Sequence, residues 1–214
     1  MSGTITYDNF FPEVIPFVRD VPEFVALNAI RNACIEFCEK STYWRQIIDP
    51  ITIVAEQAEY DLDIEAGTGV SQILSAYMGS RELAIMAPEG IKELIGPDWR
   101  DQTGMPMYIT SEEYNIVRVV MIPETTSDDD LSLTVALRPL RSSTKVSKDV
   151  YERFSEVIGF GARARLHDTP QQPYSDEESA AKFRKWFESG IGEAKIAANR
   201  ARSRTVLYVR PPRV

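Results

Sequence analysis

The hydrophobic period of this chain changes twice, and no other feature restricts its fold as strongly. From Phe24 the apolar residues recur every three or four positions, through Leu27, Ile30, Cys34 and Phe37, which is the spacing of one helix face. From Ile51 the period falls to two. Tyr60, Leu62 and Ile64 alternate with Asp61, Asp63 and Glu65, and Leu131, Leu133, Val135 and Leu137 alternate with polar residues or Ala136. Beyond Ser147 the helical spacing returns, first in Val150, Phe154, Val157, Ile158 and Gly161, then in Ala180, Phe183, Phe187, Ile191, Ala194 and Ala198. Side chains of period two point to opposite faces of a strand and cannot share a helical stripe, so the middle of the chain must form a body of its own. The expected fold class is therefore α+β. One N-terminal and two C-terminal helices make a small bundle, an antiparallel β-sandwich or barrel-like unit is inserted between them, and an extended C-terminal arm follows. The expected divisions are 1–50 (N-terminal segment and first helix), 51–145 (β-domain), 146–203 (C-terminal helices) and 204–214 (arm).

Local signals refine this outline. Asp20 is the expected cap of the first helix, with Pro22 in its first turn and Pro50 blocking extension beyond Ser41–Trp44. Ser147 is expected to cap the second helix, which Thr169–Pro170 ends, and Ser175 with Glu178 forms a capping-box pattern for the third. Gly190 and Gly192 predict a kink in that third helix. In the middle, five to seven short strands are expected around a small helix, Glu89–Ile95, which follows Pro88 and stops at Gly96–Pro97. Met107–Thr110 and Asn115–Ile122 are expected to pair. The segment from Tyr7 to Phe17 is rich in aromatic residues and predicts contact with its own domain or with a partner.

Charge is divided unevenly. The chain carries 24 basic and 32 acidic residues, yet Lys195, Arg200, Arg202, Arg204, Arg210 and Arg213 give the last twenty residues +6 and leave −14 on residues 1–194. An acidic body argues against general nucleic-acid binding, while a basic end suits docking on something negative. Arg200, Arg202 and Arg204 alternate, as do Val206, Tyr208 and Arg210, a pattern that fits an added strand, and Pro211–Pro212 keeps the end extended. No apolar run approaches the ~20 residues needed to cross a bilayer, and no signal peptide is read at the start. Two cysteines four residues apart do not make a disulfide framework. These features predict a soluble protein of a reducing compartment.

Chemistry-bearing motifs are sparse. His167 is the single histidine, placed at a helix end where the dipole favours it. Cys34 and Cys38 have a spacing that can ligate metal, but they lie on the apolar stripe. Asp128–Asp130 lacks the glycine and later glutamate of a calcium loop, and Gly159–Phe160–Gly161 lacks the strand and lysine of a phosphate cradle. Trp44, Trp99 and Trp186 are scattered. The expectation is a protein with no active site, no metal and no cofactor.

Several stretches resemble one family. They are Phe24 to Cys34 with Leu27–Asn28–Ala29 at its centre, Glu59–Tyr60–Asp61–Leu62, Gly104–Met105–Pro106–Met107–Tyr108–Ile109, Met121–Ile122–Pro123, and the Ala180 to Glu188 helix with Trp186–Phe187. In order and spacing across most of residues 20–200 they resemble the head-to-tail adaptors of tailed bacteriophages, of the tail tubular A type of short-tailed phages. The resemblance implies a structural virion protein, a homo-oligomeric ring, often dodecameric, in the neck of the particle. Its partners are then further copies of itself, the portal protein, and a nozzle or other tail protein. DNA passes through its channel without specific binding, no membrane is involved, and assembly takes place in the host cytoplasm. The implied portal-binding arm carries Arg200, Arg202, Arg204, Val206, Tyr208, Arg210 and Arg213. A head-completion or tail-terminator protein of a longer-tailed phage, or a small enzyme without a recognisable motif, are the alternatives.

Overall fold

A computed structural model describes residues 3–127 and 129–200. In chain order it contains β1 (Thr4–Thr6), two 3-10 segments (Tyr7–Glu13, Ile15–Phe17), α1 (Glu23–Ser41), β2 (Arg45–Thr52), β3 (Glu59–Asp61), β4 (Thr68–Met78), β5 (Arg81–Glu82) and β6 (Ala84–Ile85). These are followed by α2 (Pro88–Ile95), β7 (Tyr108–Glu113), β8 (Ile116–Val120), β9 (Asp130–Pro139), β10 (Lys145–Ser147), α3 (Lys148–His167) and α4 (Glu177–Arg200). The fold is α+β. Two compact units divide it: among the described residues, 3–43 join 144–200, and Trp44–Ser143 forms the second unit.

In the helical unit α1, α3 and α4 pack on one another. The buried stripe of α1 is Ala26, Ile30, Ala33, Phe37 and Ser41, with Ala29, Cys34 and Cys38 beside it. Phe24, expected on this stripe, is instead 75% exposed. It lies two residues from Ala26, about 200° around the helix, so the alanines and not the first aromatic define the core face. Pro22, not Asp20, is the N-cap residue, and Asp20 adopts a left-handed conformation (φ 58°). Thr42 ends the helix in the left-handed region, its N–H donating to the Cys38 carbonyl (3.1 Å).

The crossing of α3 and α4 depends on two glycines. A Cβ on Gly161 would stand 2.7 Å from the Phe187 ring, and one on Gly190 2.5 Å from Val157 Cγ1. Gly190 is therefore a contact point and not a hinge: α4 runs as one helix, and the expected kink lies instead in α3, at Phe154 (φ −135°, ψ 20°). That ring packs against Phe37 (5.1 Å between centroids) and Tyr43 (4.8 Å). Ser147 precedes α3 without a side-chain capping bond. For α4 the cap is Asp176, not Ser175. Its Oδ1 accepts from the N–H groups of Glu178 (3.1 Å) and Ser179 (3.2 Å), and Ser179 Oγ donates to Oδ2 (2.6 Å). The aromatic N-terminal segment covers its own unit, burying Tyr7, Phe10, Val14 and Val18, with Phe10 edge-on to Tyr151. β1 pairs antiparallel with β10, a strand pair that the sequence patterning did not suggest.

The second unit holds two four-stranded sheets, β2-β9-β4-β5 and β3-β8-β7-β6. Strand structure begins at Arg45, ahead of the expected Ile51, and continues past Pro50 because β2 is an edge strand whose ladder shifts register between Ile48 and Ile51. The alternation in β9 has the expected effect: Leu131, Leu133, Val135 and Leu137 are all buried. β7 and β8 pair antiparallel, whereas β6 joins β7 in parallel, a departure from an all-antiparallel unit. The expected strand Glu82–Met86 is split, its first half pairing with β4 and its second with β7. Trp99, Ile91 and Val120 form a small core under α2, joined by Met86, Ile95 and Tyr108.

Candidate interaction surfaces

Glu36 on α1 gathers the cations of the helical unit. Its carboxylate pairs with Lys40 (2.5 Å), Arg184 (3.0 Å) and Arg165, so all three helices meet at one charge. Burial alone raises the pKa of this carboxyl; the Lys40 hydrogen bond and the two guanidinium groups outweigh burial and hold it below the ordinary value. The hollow of about 600 Å³ beside Arg165 and Arg184 has its two guanidinium groups turned toward Glu36.

A second cluster surrounds Arg163, a buried cation on α3. Its Nε donates to the Glu13 carbonyl (2.5 Å), and its guanidinium lies 3.6 Å from the Phe17 ring centre, with Phe160 and Phe183 beyond. Phe160, Phe183 and Trp186 pack edge-on and stacked, and Lys182 caps the Trp186 ring at 4.8 Å. Phe17 is 54% and Trp186 41% exposed, so this aromatic group forms a surface as well as a core.

His167 closes α3. Its ring stacks on Phe183, and Nδ1 lies 2.7 Å from the Tyr174 carbonyl, which makes Nδ1 the donor. Its surroundings thus tie down the loop between α3 and α4. Cys34 and Cys38 are free, fully buried thiols, and burial pushes both pKa values up. Thiols held in that form are poor nucleophiles. The folded protein is therefore expected to take up no iodoacetamide at pH 8, and two adducts once unfolded in urea, read by intact mass; rapid labelling of the folded chain would contradict this burial. Among the described residues no group of three or more His, Cys, Asp or Glu is placed to hold a metal ion, and no helix is long and apolar enough to cross a membrane. Asp128 lies outside the described residues, while Asp130 opens β9, its Oδ1 accepting from Thr52 (3.1 Å). Gly159 faces Glu13, where a Cβ would come within 2.8 Å, so the Gly159–Phe160–Gly161 run serves packing.

Of the expected arm residues, Arg200 is the last residue of α4; Arg202, Arg204, Val206, Tyr208, Arg210 and Arg213 lie outside the described residues.

The β-unit concentrates the acidity of the chain. Trp44–Ser143 carries seven basic and seventeen acidic residues, a net −10, against −8 for the whole chain. It also exposes Ile47 (79%), Met105 (64%), Leu94 (59%) and Met107 (51%). A groove of about 720 Å³ lies between β4 and β7, with Ile85, Met86 and Pro88 at one end and Tyr114 at the other. Sequence reading missed this groove because it depends on where strand pairing stops, which periodicity does not encode. No protein-family model matches the chain, and no curated protein matches it.

Proposed function

We propose that this chain is a structural virion protein, a head-to-tail adaptor whose copies close into a ring between portal and tail. The observation that carries this reading is the aromatic surface around Arg163, with Phe17 and Trp186 half exposed over a rigid cluster of Phe160 and Phe183. Exposed Trp and Phe anchored by Arg are the side chains that dominate protein–protein interfaces, and a closed ring needs such a face on every subunit. The insertion of a β-unit between the first and last helices agrees with the order of elements that the resemblance implies. An acidic β-unit suits a passage through which DNA slides without being held. The portal receives the arm from Arg200 to Val214, a nozzle or other tail protein meets the ring elsewhere, and the role needs no active site.

Light scattering on the full-length chain tests this. The expected mass is a multiple of 24.2 kDa, and Trp186→Ala should weaken association at least about tenfold, as loss of an interface anchor does, with little change in stability. A mass of 24.2 kDa at every concentration, with no complex on mixing with purified portal, would reject the reading. Deleting residues 204–214 is expected to leave a folded subunit that no longer joins the portal, and normal docking of the shortened chain would remove the arm from the attachment.

A further inference from the structure

The strand position between β4 and β7 is half filled. Arg81 to Met86 occupies one half: β5 pairs with Tyr77 and Met78, and the Leu83 N–H donates to the Ala76 carbonyl (2.9 Å). The chain then crosses to the other side, where Ala84 and Met86 N–H groups donate to the carbonyls of Met107 and Ile109 (both 3.1 Å). At Pro88 it leaves for α2. The other half of this position is the groove, closed at its far end by the Val70 N–H donating directly to the Tyr114 carbonyl (2.7 Å). Among the described residues, Ser71–Ile73 of β4 and Ser111–Glu113 of β7 have no strand on the groove side. Two facing edges over three residues, roughly 10 Å at strand rise, are a template for one more short strand.

The groove also specifies chemistry. Val70, Ile73, Ile85 and Met86 supply apolar lining, Glu112 and Glu113 stand on the rim with Arg138, and the unit around them is strongly acidic. Glu112 is shared with Arg100 (2.6 Å). A matching occupant is extended, β-branched or aromatic, and basic. This chain contains one such stretch beyond its described residues. Residues 201–214 hold four arginines and no acidic residue, and Arg204 and Arg210 bracket Thr205–Val206–Leu207–Tyr208–Val209.

We propose that the groove binds the Thr205–Val209 stretch of a second copy of this chain, about three of its residues pairing as an added strand, with one of the flanking arginines, Arg204 or Arg210, meeting Glu113 on the rim. The arrival of a second copy rests on the self-association reading above. Pro211 and Pro212 end the pairing after one short strand. Where the same arm attaches to a portal, it leaves the groove first, so the pairing belongs to the free protein.

The test compares the full chain with its Val206→Pro, Tyr208→Pro double variant by hydrogen exchange and mass spectrometry. Both prolines lie beyond the described residues and remove N–H donors that an added strand needs. The expected result is that groove-side amides in Ser71–Ile73 and Ser111–Glu113 exchange at least tenfold faster in the variant. A synthetic Arg204–Arg210 peptide should restore slow exchange. Oxidation of a Gln72→Cys, Val206→Cys chain should cross-link separate copies on a denaturing gel. Equal exchange in chain and variant, or cross-links within single chains only, would overturn the proposal. A chain that is monomeric by light scattering fails the self-association reading itself, whereas an oligomer whose groove ignores the prolines rejects the groove pairing alone.

Discussion

Phe187→Ala is expected to cost about 3–5 kcal/mol, the range for a fully buried aromatic ring, and to lower the melting temperature by about 10 °C or more. Phe187 is wholly buried where α3 crosses α4, and its ring fills the space that Gly161 leaves open. Glycine has no side chain that could follow a shrinking neighbour, so the cavity left by alanine stays open. The same geometry makes Gly161→Ala harmful in the wild-type chain, since its Cβ would stand 2.7 Å from the ring. Combined, the two changes should compensate, because the new methyl enters the volume that the ring vacates. Urea unfolding of the two single variants and the double variant measures this coupling, expected at about 1–3 kcal/mol in favour of the double variant over the sum of the singles. Strict additivity would mean that the crossing does not pivot on this pair.

Much of the architecture was legible in residue order. Period two in Leu131–Leu137 placed β9, the Pro88 to Gly96 punctuation placed α2, and the long spacing from Ala180 to Ala198 placed α4. These signals are local and survive in any surroundings. What escaped was set by close approach. Phe24 looked like a core residue because large apolar side chains weigh most in a periodic pattern, yet the true face of α1 is built on Ala26 and Ala33, which let a neighbouring helix come near. Gly190 looked like a hinge because glycine weakens isolated helices, but here it makes room for Val157. β1 and β10 are three residues each, too short for periodicity to register, and they pair across the whole inserted β-unit. For the candidate surfaces, Trp186 stood out only as one of three scattered tryptophans, and Arg163 did not stand out at all. A buried arginine between three rings is a tertiary fact, and its only sequence trace is a cation on the apolar side of a helix pattern.

Glu36→Gln is expected to destabilise the helical unit by about 2 kcal/mol at pH 7, below the full cost of breaking a buried ion cluster because Arg184 is partly solvated. Glutamine keeps the shape of the side chain but leaves Arg165 without its counter-charge beside Arg184, which keeps only the exposed Glu188. The pH dependence identifies the cause. The folded pKa of Glu36 lies below its ordinary value of 4.5, so the stabilisation is complete above that value and disappears as the pH falls through the lower, folded one. Wild type and variant should therefore differ most at neutral pH and converge in acid. A gap that stayed constant down to the pH where both unfold would assign the loss to packing instead of charge. Replacing the cation as well supplies the complementary check. Glu36→Gln with Arg165→Met removes an uncompensated charge that is largely buried beside Cys34 and Phe187, so the double variant should recover part of the loss at pH 7. In that background the remaining pH dependence from this cluster should be gone, because no carboxylate is left there for the two helices to share.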